Sequence, residues 1–425
     1  MVEKRRFLML QGPHGPFFRE LGAMLVKAGH DVLRIGFNRG DQAFSRNMVF
    51  HPYRGRLEDW PDALERILMD KSITDIVMYG QVRPIHAEAL KLAHARGLRT
   101  HLFEEGYLRP YWVTYERDGT TGHSPVVDMS ISQMSAALNG QGDAPRAAPA
   151  RWGELRRHIA LGAAYHFWVL TANKAYSGIP PHRSVTVWQE LMLYLKKLAL
   201  LPSESLRRIH ETRRLRRAGS PYTLALLQLE HDANYQEHSP FKTQAEFVTK
   251  VIDAFASGAP SHHQLVFKAH PLEDGRAPVR PVIEKRAAKK GIVDRVRYIP
   301  GGKLGPLLDM AKSVVTVNST AAEQALWRGL ATRSFGRAVF DKPTLVSQQP
   351  LVQFFAEPIA PDNEDYLTYR RYLLKTSQIP GGYYSPKGRS RILRRAVDLM
   401  LDPLDPYARL AQQPASGRQH LAAVR

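Results

Sequence analysis

The sequence of 425 residues contains no cysteine. This absence excludes disulfide bonds, a thiolate nucleophile and any zinc or iron–sulfur site held by cysteine. It is consistent with a protein that works in a reducing compartment. Long apolar runs are missing as well, because no segment approaches the ~20 uncharged apolar residues that span a bilayer. The apolar run near the N-terminus stops at Gly12 and Pro13, too early for a secretory signal. We therefore expect a cytoplasmic protein, either soluble or peripheral to a membrane.

Several nucleotide and metal signatures are also absent. No GxxxxGK[ST] occurs, which argues against a P-loop NTPase. The loop "QGPHGPFF" lacks GxGxxG and so gives only weak support for NAD binding. Its Gly12, His14 and Gly15 would let a ligand approach the backbone, or would simply form a tight turn. The acidic pair at 273–274 in "EDG" is interpreted as a turn rather than a metal motif. We therefore predict no metal site and no cofactor.

Positive charge is abundant. The chain has 60 Lys and Arg against 40 Asp and Glu, a formal net charge of +20. A field of this sign attracts nucleic acid, anionic lipid head groups or phosphorylated sugars, and composition does not choose among them.

Segments with strand and helix patterns alternate along two parts of the chain, which predicts an α/β fold with parallel sheets. We predict four regions: an N-terminal Rossmann-like domain at 1–140, a basic helical insert at 141–220, a second Rossmann-like domain at 221–345, and C-terminal helices with a frayed tail at 346–425. Two Rossmann-like domains facing a cleft, with a basic helical insert and C-terminal helices, are typical of a GT-B-like architecture. In this class, ligands lie at the carboxyl ends of the strands.

Two adjacent carboxylates, Glu104 and Glu105, end the predicted strand "RTHLFEEG". Because successive side chains of a strand point in opposite directions, at most one of them would face the cleft. That carboxylate could serve as a general base, whereas a solvated charge pair is the ordinary alternative. Arg109 could pair with one of them, and Arg83 and Arg109 are further candidates for the cleft.

The second domain has two polar strand ends. In "LVFKAHP", Lys268 and His270 alternate onto one face before Pro271, and two cations there would suit a phosphate; a surface histidine is the alternative. In "SVVTVNSTAAEQALWRG", Asn318, Ser319 and Thr320 precede a predicted helix. Ser319 or Thr320 would cap that helix, with Glu323 placed for a capping box, and free N–H groups there would also suit an anion.

The order of these motifs resembles that of the bacterial GT-B sialyltransferases, which use CMP-sugars. Wider segments, among them "LQGPHGPFFRELG", "FEEGYLRPYWVTYERDGTTGHSP", "KAHPLEDG" and "VNSTAAEQAL", resemble the capsule-synthesis proteins of the KpsS/LipB type. This resemblance covers most of residues 7–345. The chain departs from the family pattern at Gln81, where an acidic residue is common, and at Ala269, where a second histidine is common.

The resemblance implies a retaining β-Kdo transferase that moves Kdo from CMP-Kdo to a (lyso)phosphatidylglycerol-type lipid, starting the linker of a capsular polysaccharide. It implies that Glu105 or Glu104 acts as the catalytic carboxylate. It also implies that Lys268, His270 and Pro271, with the segment 318–320, bind the CMP moiety. The expected partners are the CMP-sugar, an anionic lipid acceptor and membrane surface, a second Kdo transferase and the capsule export complex, and no nucleic acid.

The expected location is the inner face of the bacterial inner membrane. The basic segment 151–220 would then hold the protein against anionic lipid. Its part "HIALGAAYHFWVLTANKAY" would lie in the membrane interface or, alternatively, pack as a buried helix between domains. The other functions left open are a GT-B transferase using a different nucleotide sugar, and a non-enzymatic binder of nucleic acid or another polyanion.

Overall fold

A computed structural model describes residues 4–141, 154–176, 178, 187–273 and 275–412. The chain forms two compact units: unit 1 comprises Met1–His182 and Thr368–Arg425, and unit 2 comprises Arg183–Leu367. The basic segment predicted as one insert is thus shared between the units. This division arises because its first helix packs on unit 1, whereas its second packs on a strand of unit 2. Residues 142–153 and 179–186 of the predicted insert lie outside the described residues.

The described strands are β1 (Arg6–Met9), β2 (Asp31–Gly36), β3 (Val49–Pro52), β4 (Asp75–Tyr79), β5 (Arg99–Glu105), β6 (Trp112–Glu116), β7 (Tyr222–Leu226), β8 (Gln264–Lys268), β9 (Val296–Ile299), β10 (Ser313–Thr316), β11 (Ala331–Arg333) and β12 (Gln378–Pro380).

The described α-helices are α1 (Phe17–Lys27), α2 (Arg39–Ala43), α3 (Trp60–Asp70), α4 (Pro84–Ala95), α5 (Ile131–Ala137), α6 (Glu154–Ala172), α7 (Val187–Ala218), α8 (Ala233–His238), α9 (Gln244–Gly258), α10 (Val279–Lys289), α11 (Gly305–Leu308), α12 (Glu323–Leu326), α13 (Leu351–Ala356), α14 (Asn363–Lys375), α15 (Pro386–Leu401) and α16 (Pro406–Gln412).

Unit 1 is built on a seven-stranded sheet in the order β12-β6-β5-β4-β1-β2-β3. The strands from β5 to β3 are parallel, as predicted, whereas β6 runs antiparallel to β5 and β12 antiparallel to β6. Alternate residues of β1 face opposite layers: Phe7 and Met9 pack with α1 and α15, and Leu8 packs with α3 and α4. This period of two is what a sheet covered on both faces requires.

Unit 2 is built on a five-stranded, fully parallel sheet in the order β11-β10-β7-β8-β9. Phe267 of β8 packs with α9, whereas Val266 packs with Leu307 and Leu308 on the opposite face. The mainly parallel sheet of unit 1 and the fully parallel sheet of unit 2 confirm the α/β class. Within the described residues, no helix is long and apolar enough to cross a membrane.

The last part of the chain differs from the prediction. Residues 346–400 are mainly helical, but they also contribute β12 to the first sheet. The first part of the tail predicted to fray forms α16 (Pro406–Gln412), because Leu410 is buried and the Tyr407 hydroxyl donates to the buried carboxylate of Glu116. Residues 413–425 of that tail lie outside the described residues. Helix α16 is therefore anchored by both apolar and polar contacts to unit 1.

Candidate functional site

In unit 1, the polar residues of interest lie at the carboxyl ends of three neighbouring parallel strands, β1, β4 and β5. Strand β5 ends at Glu105, so that Glu104 and Glu105 are its last two residues, both half-buried. This edge is where parallel α/β sheets bind ligands. The prediction that these carboxylates end a strand is confirmed.

Glu105 is held by two phenols. The hydroxyls of Tyr79 and Tyr384 both donate to Glu105 Oε1, at 3.0 and 3.2 Å. Among the described residues, no hydrogen bond reaches the other oxygen, Oε2. Burial, and then the charge of Glu105, hold the pKa values of Tyr79 and Tyr384 well above the usual range. Both phenols therefore stay protonated and keep donating, which leaves Oε2 to accept a proton from another group.

Glu104 has different surroundings. Its Oε1 accepts from the Glu105 backbone N–H at 3.1 Å, and its carbonyl accepts from the Tyr383 hydroxyl at 2.7 Å. Gly80 lies against this side chain with φ +68°, and a β-carbon on Gly80 would come within 3.2 Å of Glu104 Oε2. The bare backbone of Gly80 thus provides room for the Glu104 carboxylate at the end of β4.

The predicted cleft loop packs tightly against its own unit. A β-carbon on Gly12 would meet the Phe18 ring at 2.7 Å, and one on Gly15 would meet Leu161 at 2.9 Å. His14 stacks on Tyr165 of α6, with ring centroids 4.4 Å apart. These small residues therefore accommodate neighbouring side chains, which explains them without a ligand.

A polar cluster that sequence analysis missed lies beside this loop. Gln11 Nε2 donates to the Tyr165 hydroxyl at 2.9 Å and to Asp41 at 3.2 Å, while Tyr165 donates to Asp41 at 3.0 Å. Arg83, at the start of α4, donates to Gln11 Oε1 at 2.6 Å. Burial, and then the charge of Asp41, raise the pKa of Tyr165. The structure thus brings Arg83 and the cleft loop together through Gln11, a residue with no distinctive sequence signal.

Two further residues have surroundings that the sequence did not show. Arg109 is exposed and donates to the Gly106 carbonyl at 3.2 Å, and among the described residues it forms no salt bridge with Glu104 or Glu105. The suggested pairing of Arg109 with a carboxylate is therefore wrong. Gln81 accepts from the Thr120 N–H at 2.9 Å and donates to the Thr120 carbonyl at 3.1 Å. An ionised acidic side chain could make only the first bond, which accounts for the amide at this position.

In unit 2, Lys268 ends β8 and is buried, with 5% of its surface exposed. Its ammonium donates to the Ala269 carbonyl at 3.3 Å, and within the described part of the chain it has no salt bridge. Burial, and then the charge of Arg208, lower the pKa of Lys268 to about 8. A buried cation without a counter-charge is costly, and a bound anion would remove that cost.

Arg208, on helix α7, is a second cation that sequence analysis missed. Its guanidinium donates to the Pro300 carbonyl at 3.4 Å and to the Ser205 hydroxyl at 3.1 Å. It lies against Gly302, and its positive charge is close enough to lower the pKa of Lys268. The sequence places Arg208 sixty residues before Lys268, inside a stretch of many arginines, so no spacing singles it out.

His270 and Pro271 follow directly after β8. His270 is half-buried, and its Nδ1 accepts from the Leu272 N–H at 3.2 Å. The neutral ring therefore carries its proton on Nε2, where it can donate. Pro271 is exposed and lies beside Gly301. Beyond it, Glu273 accepts from the Gly275 N–H at 2.8 Å, as expected for a turn, while residue 274 lies outside the described residues.

Asn318 follows β10, and its side chain forms hydrogen bonds within unit 2. Its side chain accepts from Gln228 Nε2 at 2.8 Å and donates to the Asn234 carbonyl at 2.9 Å. Gln228 follows β7, so this pair joins the ends of two neighbouring strands. Gln228 is a further residue that the sequence motifs did not indicate.

The helix predicted after Asn318 is present but very short. Ser319 accepts from the Ala321 N–H at 3.3 Å and precedes a 3₁₀ turn, which runs into the four-residue α12. So short a segment has no developed dipole for binding an anion. Glu323 is buried, and its carboxylate accepts from the Tyr366 hydroxyl at 3.4 Å. Thr320 is half-exposed, and among the described residues its hydroxyl forms no hydrogen bond.

Strands β8 and β10 flank β7, so Lys268 and Thr320 lie at the same edge of one parallel sheet. Two strand spacings amount to about 10 Å, the span of a small phosphorylated ligand. Within the described residues, no group of three His, Asp or Glu side chains is placed to hold a metal ion.

Two α/β units, each with polar residues at the carboxyl ends of parallel strands, define a GT-B-like protein. A scan against protein families matches residues 74–384 to the family described as "Capsule polysaccharide biosynthesis protein". The chain belongs to this family. Together with the relatives KpsS and LipB described next, this match confirms the resemblance to the KpsS/LipB type.

Curated relatives match along nearly their full length. The chain is 28% identical over 391 residues to "Capsule polysaccharide export protein KpsS" of Escherichia coli, covering 90% of this chain and 98% of that protein. It is also 28% identical to "Capsule polysaccharide modification protein LipB" of Neisseria meningitidis serogroup B, covering 89% and 91%. Among solved structures, Thermosulfurimonas dismutans KpsC, named as a beta Kdo 2,7 transferase, matches with a TM-score of 0.41 and 13% identity, over 93% of this chain and 100% of the other.

Proposed function

We propose that this capsule polysaccharide biosynthesis protein is a glycosyltransferase that moves Kdo from CMP-Kdo to a (lyso)phosphatidylglycerol-type lipid, starting a β-Kdo linker. The observation that carries the proposal is Glu105, whose Oε1 is fixed by two phenols while Oε2 is left to accept a proton. A carboxylate with one open oxygen at the carboxyl edge of a parallel sheet suits a general base for a hydroxyl acceptor. The buried Lys268 supports a phosphate-bearing donor in unit 2.

In the proposed reaction, the acceptor hydroxyl gives its proton to Glu105 Oε2, and its oxygen forms the new bond to the anomeric carbon of Kdo. The bond from that carbon to the CMP phosphate breaks, and the electron pair leaves with CMP. Lys268, with the Nε2–H of His270, would stabilise the leaving phosphate electrostatically. Pro271, Asn318, Ser319 and Thr320 would complete the donor site. Retention of the β configuration would follow from a front-face attack or from a covalent carboxylate intermediate.

The remaining parts of the proposal concern location and partners. We place the protein on the inner face of the bacterial inner membrane, next to an anionic lipid acceptor, with a second Kdo transferase and the capsule export complex as partners. The net charge of +20 supports attraction to anionic lipid. We propose that the transferase needs neither a metal ion nor an organic cofactor.

A direct assay would test the proposal. Purified protein would be incubated with freshly generated CMP-Kdo and a fluorescent lyso-phosphatidylglycerol, with and without EDTA, and the products analysed by mass spectrometry. We expect a product heavier by one Kdo in both samples. A product only in the absence of EDTA would overturn metal independence. No product, together with stabilisation of the fold by CMP, would point to another sugar or acceptor.

The polyanion-binding alternative rests on the charge alone. It predicts a salt-sensitive gel shift with nucleic acid that CMP-sugars do not affect. It gives no role to the open oxygen of Glu105 or to the buried Lys268. We therefore favour the transferase.

A further inference from the structure

One side of helix α6 contacts other residues of unit 1. His158 stacks on Tyr384, the phenol that donates to Glu105, with ring centroids 4.1 Å apart and nearly parallel planes. Leu161 lies against Gly15, and Tyr165 joins the cluster of Gln11. At 3.6 residues per turn, His158, Leu161 and Tyr165 share one side of the helix. We call this the inner face of α6, and it borders the candidate acceptor site.

The opposite side of α6 is apolar and exposed. Its large side chains are exposed by 45–60%, a high value for residues of this kind, and they are Ile159, Phe167 and Leu170. Trp168, exposed by 40%, lies two turns after Leu161 at the border with the inner face. Between them stand exposed alanines, at 160, 163 and 164. We call this side the outer face of α6.

From Arg156 onward, the charged residues of this helix and of the turn after it are all positive. Arg156 and Arg157 are exposed near its start, and Lys174 is exposed just after its end. No Asp or Glu occurs between Arg156 and Lys174. An apolar stripe with cations and no carboxylates is complementary to a surface that is apolar below and negatively charged at its rim.

We propose that the outer face of α6 docks on an anionic lipid bilayer, with the helix lying in the plane of the interface. Phe167 and Leu170 would enter the boundary between head groups and acyl chains, while Arg156 and Arg157 would contact lipid phosphates. This inference deepens the proposed function and rests on it. Because the inner face borders Tyr384 and Glu105, docking would bring the open carboxylate oxygen to the surface that holds the lipid acceptor.

Vesicle flotation tests the docking itself. The full-length protein would be mixed with vesicles of phosphatidylcholine and phosphatidylglycerol in equal amounts. We expect the double variant Phe167→Ser with Leu170→Ser to bind at least about tenfold more weakly than the unchanged protein. The matched control is Val26→Ser with Met69→Ser, whose parent side chains are exposed by 56% and 54% on α1 and α3. This control should bind like the unchanged protein.

A second pair of variants tests the charge. Arg156→Gln with Arg157→Gln removes two cations without changing the apolar face. We expect each arginine to contribute about fivefold to binding of the phosphatidylglycerol vesicles, and this contribution to disappear at high salt. On vesicles of phosphatidylcholine alone, the arginine variant and the unchanged protein should bind equally. These variants keep the test decisive should the double serine variant fail to fold.

The outcomes separate docking from catalysis. With a short-chain acceptor free in solution, the serine variant should transfer at the unchanged rate, whereas with an acceptor embedded in vesicles it should lose activity. If no acceptor is ever modified but the serine variant still loses vesicle binding, the transferase is wrong and the docking surface stands. If the unchanged protein does not bind vesicles, or if all variants bind them equally, docking by α6 is wrong. That result is expected if the outer face of α6 binds another protein instead.

Discussion

Glu105 and Glu104 differ in what surrounds their carboxylates. Two phenols donate to one oxygen of Glu105, and no other group of the described residues donates to its second oxygen, whereas Glu104 bonds to the adjacent backbone and lies over Gly80. A base must be both fixed in place and accessible to the proton that it accepts. Glu105 meets both conditions, so we assign it the catalytic role in the proposed transfer.

Replacing each carboxylate by its amide tests this assignment. We expect Glu105→Gln to lower kcat by about 100-fold or more, because the amide cannot take up the acceptor proton. Glu104→Gln should change kcat by less than about tenfold. Initial rates of Kdo transfer measure both effects, with circular dichroism as the control for folding. Equal rates for both variants and the unchanged protein would refute the assignment.

Lys268 is suited to bind an anion because its charge is buried and no carboxylate of the described residues pairs with it. We expect Lys268→Met to weaken CMP binding by about tenfold or more, since a bond to a charged group contributes about 1.5–3 kcal/mol. Lys289→Met, at the end of α10, is the control at an exposed lysine. Isothermal titration calorimetry measures the affinities. Unchanged CMP affinity in Lys268→Met would remove this residue from the donor site.

The same lysine gives CMP binding a pH dependence. The pKa of Lys268 is lowered to about 8, so its ammonium is charged below that pH and loses its proton above it. Affinity for CMP should therefore fall as the pH rises through about 8, and Lys268→Met should lack this component. A titration of affinity against pH for both proteins would show it. A parallel decline in both would assign the effect to another group.

At the scale of elements, a buried polar cluster joins the first sheet at the end opposite to Glu105. Asp75, at the start of β4, accepts from Arg5 at 3.0 Å and from His101 of β5 at 2.8 Å. Arg5 also donates to the Met400 carbonyl of α15 at 2.6 Å. Burial lowers the pKa of His101 to about 4. A neutral His101 then donates from Nε2 to Asp75 and accepts from the Tyr115 hydroxyl.

Asp75→Asn should destabilise unit 1 strongly. It leaves the buried guanidinium of Arg5 without a counter-charge, which costs about 3–5 kcal/mol. Burial raises the pKa of Asp75, but bonds from His101 and Arg5 outweigh it and hold the pKa well below the usual range. Its contribution is therefore present above about pH 4 and lost as the pH falls.

Urea unfolding at neutral pH measures this loss in the free energy of unfolding. Asp31→Asn, whose parent carboxylate forms an exposed ion pair with Lys4, is the control and should change the free energy of unfolding by less than about 0.5 kcal/mol. A loss below about 1 kcal/mol in Asp75→Asn would contradict the interpretation of the cluster as a main support of the sheet.

Most elements of both sheets could be predicted from their apolar pattern, as for the predicted strand "RTHLFEEG", which the structure forms as β5. The short strands β3, β6 and β12 could not. Strand β12 has only three residues, and its partner β6 lies more than 250 positions earlier in the chain. Local pattern contains no information on such a pairing, because the stability of a short edge strand comes from its neighbour.

At the scale of the whole molecule, unit 1 is made from both ends of the chain. Glu116 of β6 shows this, because its buried carboxylate accepts from Tyr107 and Ser124 and also from Tyr407 of α16. Burial raises the pKa of Glu116 from 4.5 to about 7. Between pH 4.5 and about pH 7, the Glu116 carboxyl is protonated in the folded protein and ionised in the unfolded chain.

The free energy of unfolding should therefore fall as the pH rises from about 4.5 to about 7, by about 3 kcal/mol in total from this group. Glu116→Gln should lack this component. We expect the free energy of unfolding of this variant to equal that of the unchanged protein at about pH 5 and to exceed it at about pH 8. Urea titrations at both values measure the difference. A variant that is less stable at the higher pH would show that the ionised form is well stabilised inside the fold.

The candidate site could be predicted only in part for the same reason. That carboxylates and cations stand at strand ends is visible locally, as for Glu105 and Lys268. Tyr384 follows Glu105 by 279 positions, and no local spacing relates the two. Residues from the far end of the chain, such as Tyr384, can be recognised only in the structure. The same holds for residues in arginine-rich helices, such as Arg208.

The position of β12 has a consequence for synthesis of the protein on the ribosome. This strand is made after the whole of unit 2, although it completes the sheet of unit 1. At about 5–20 residues per second, β6 would wait tens of seconds for its partner. During that interval, β6 offers an unpaired edge to any other nascent chain. Slow translation or early release of the chain should therefore favour aggregation through β6. Chaperones that bind nascent chains at the ribosome should bind this strand first.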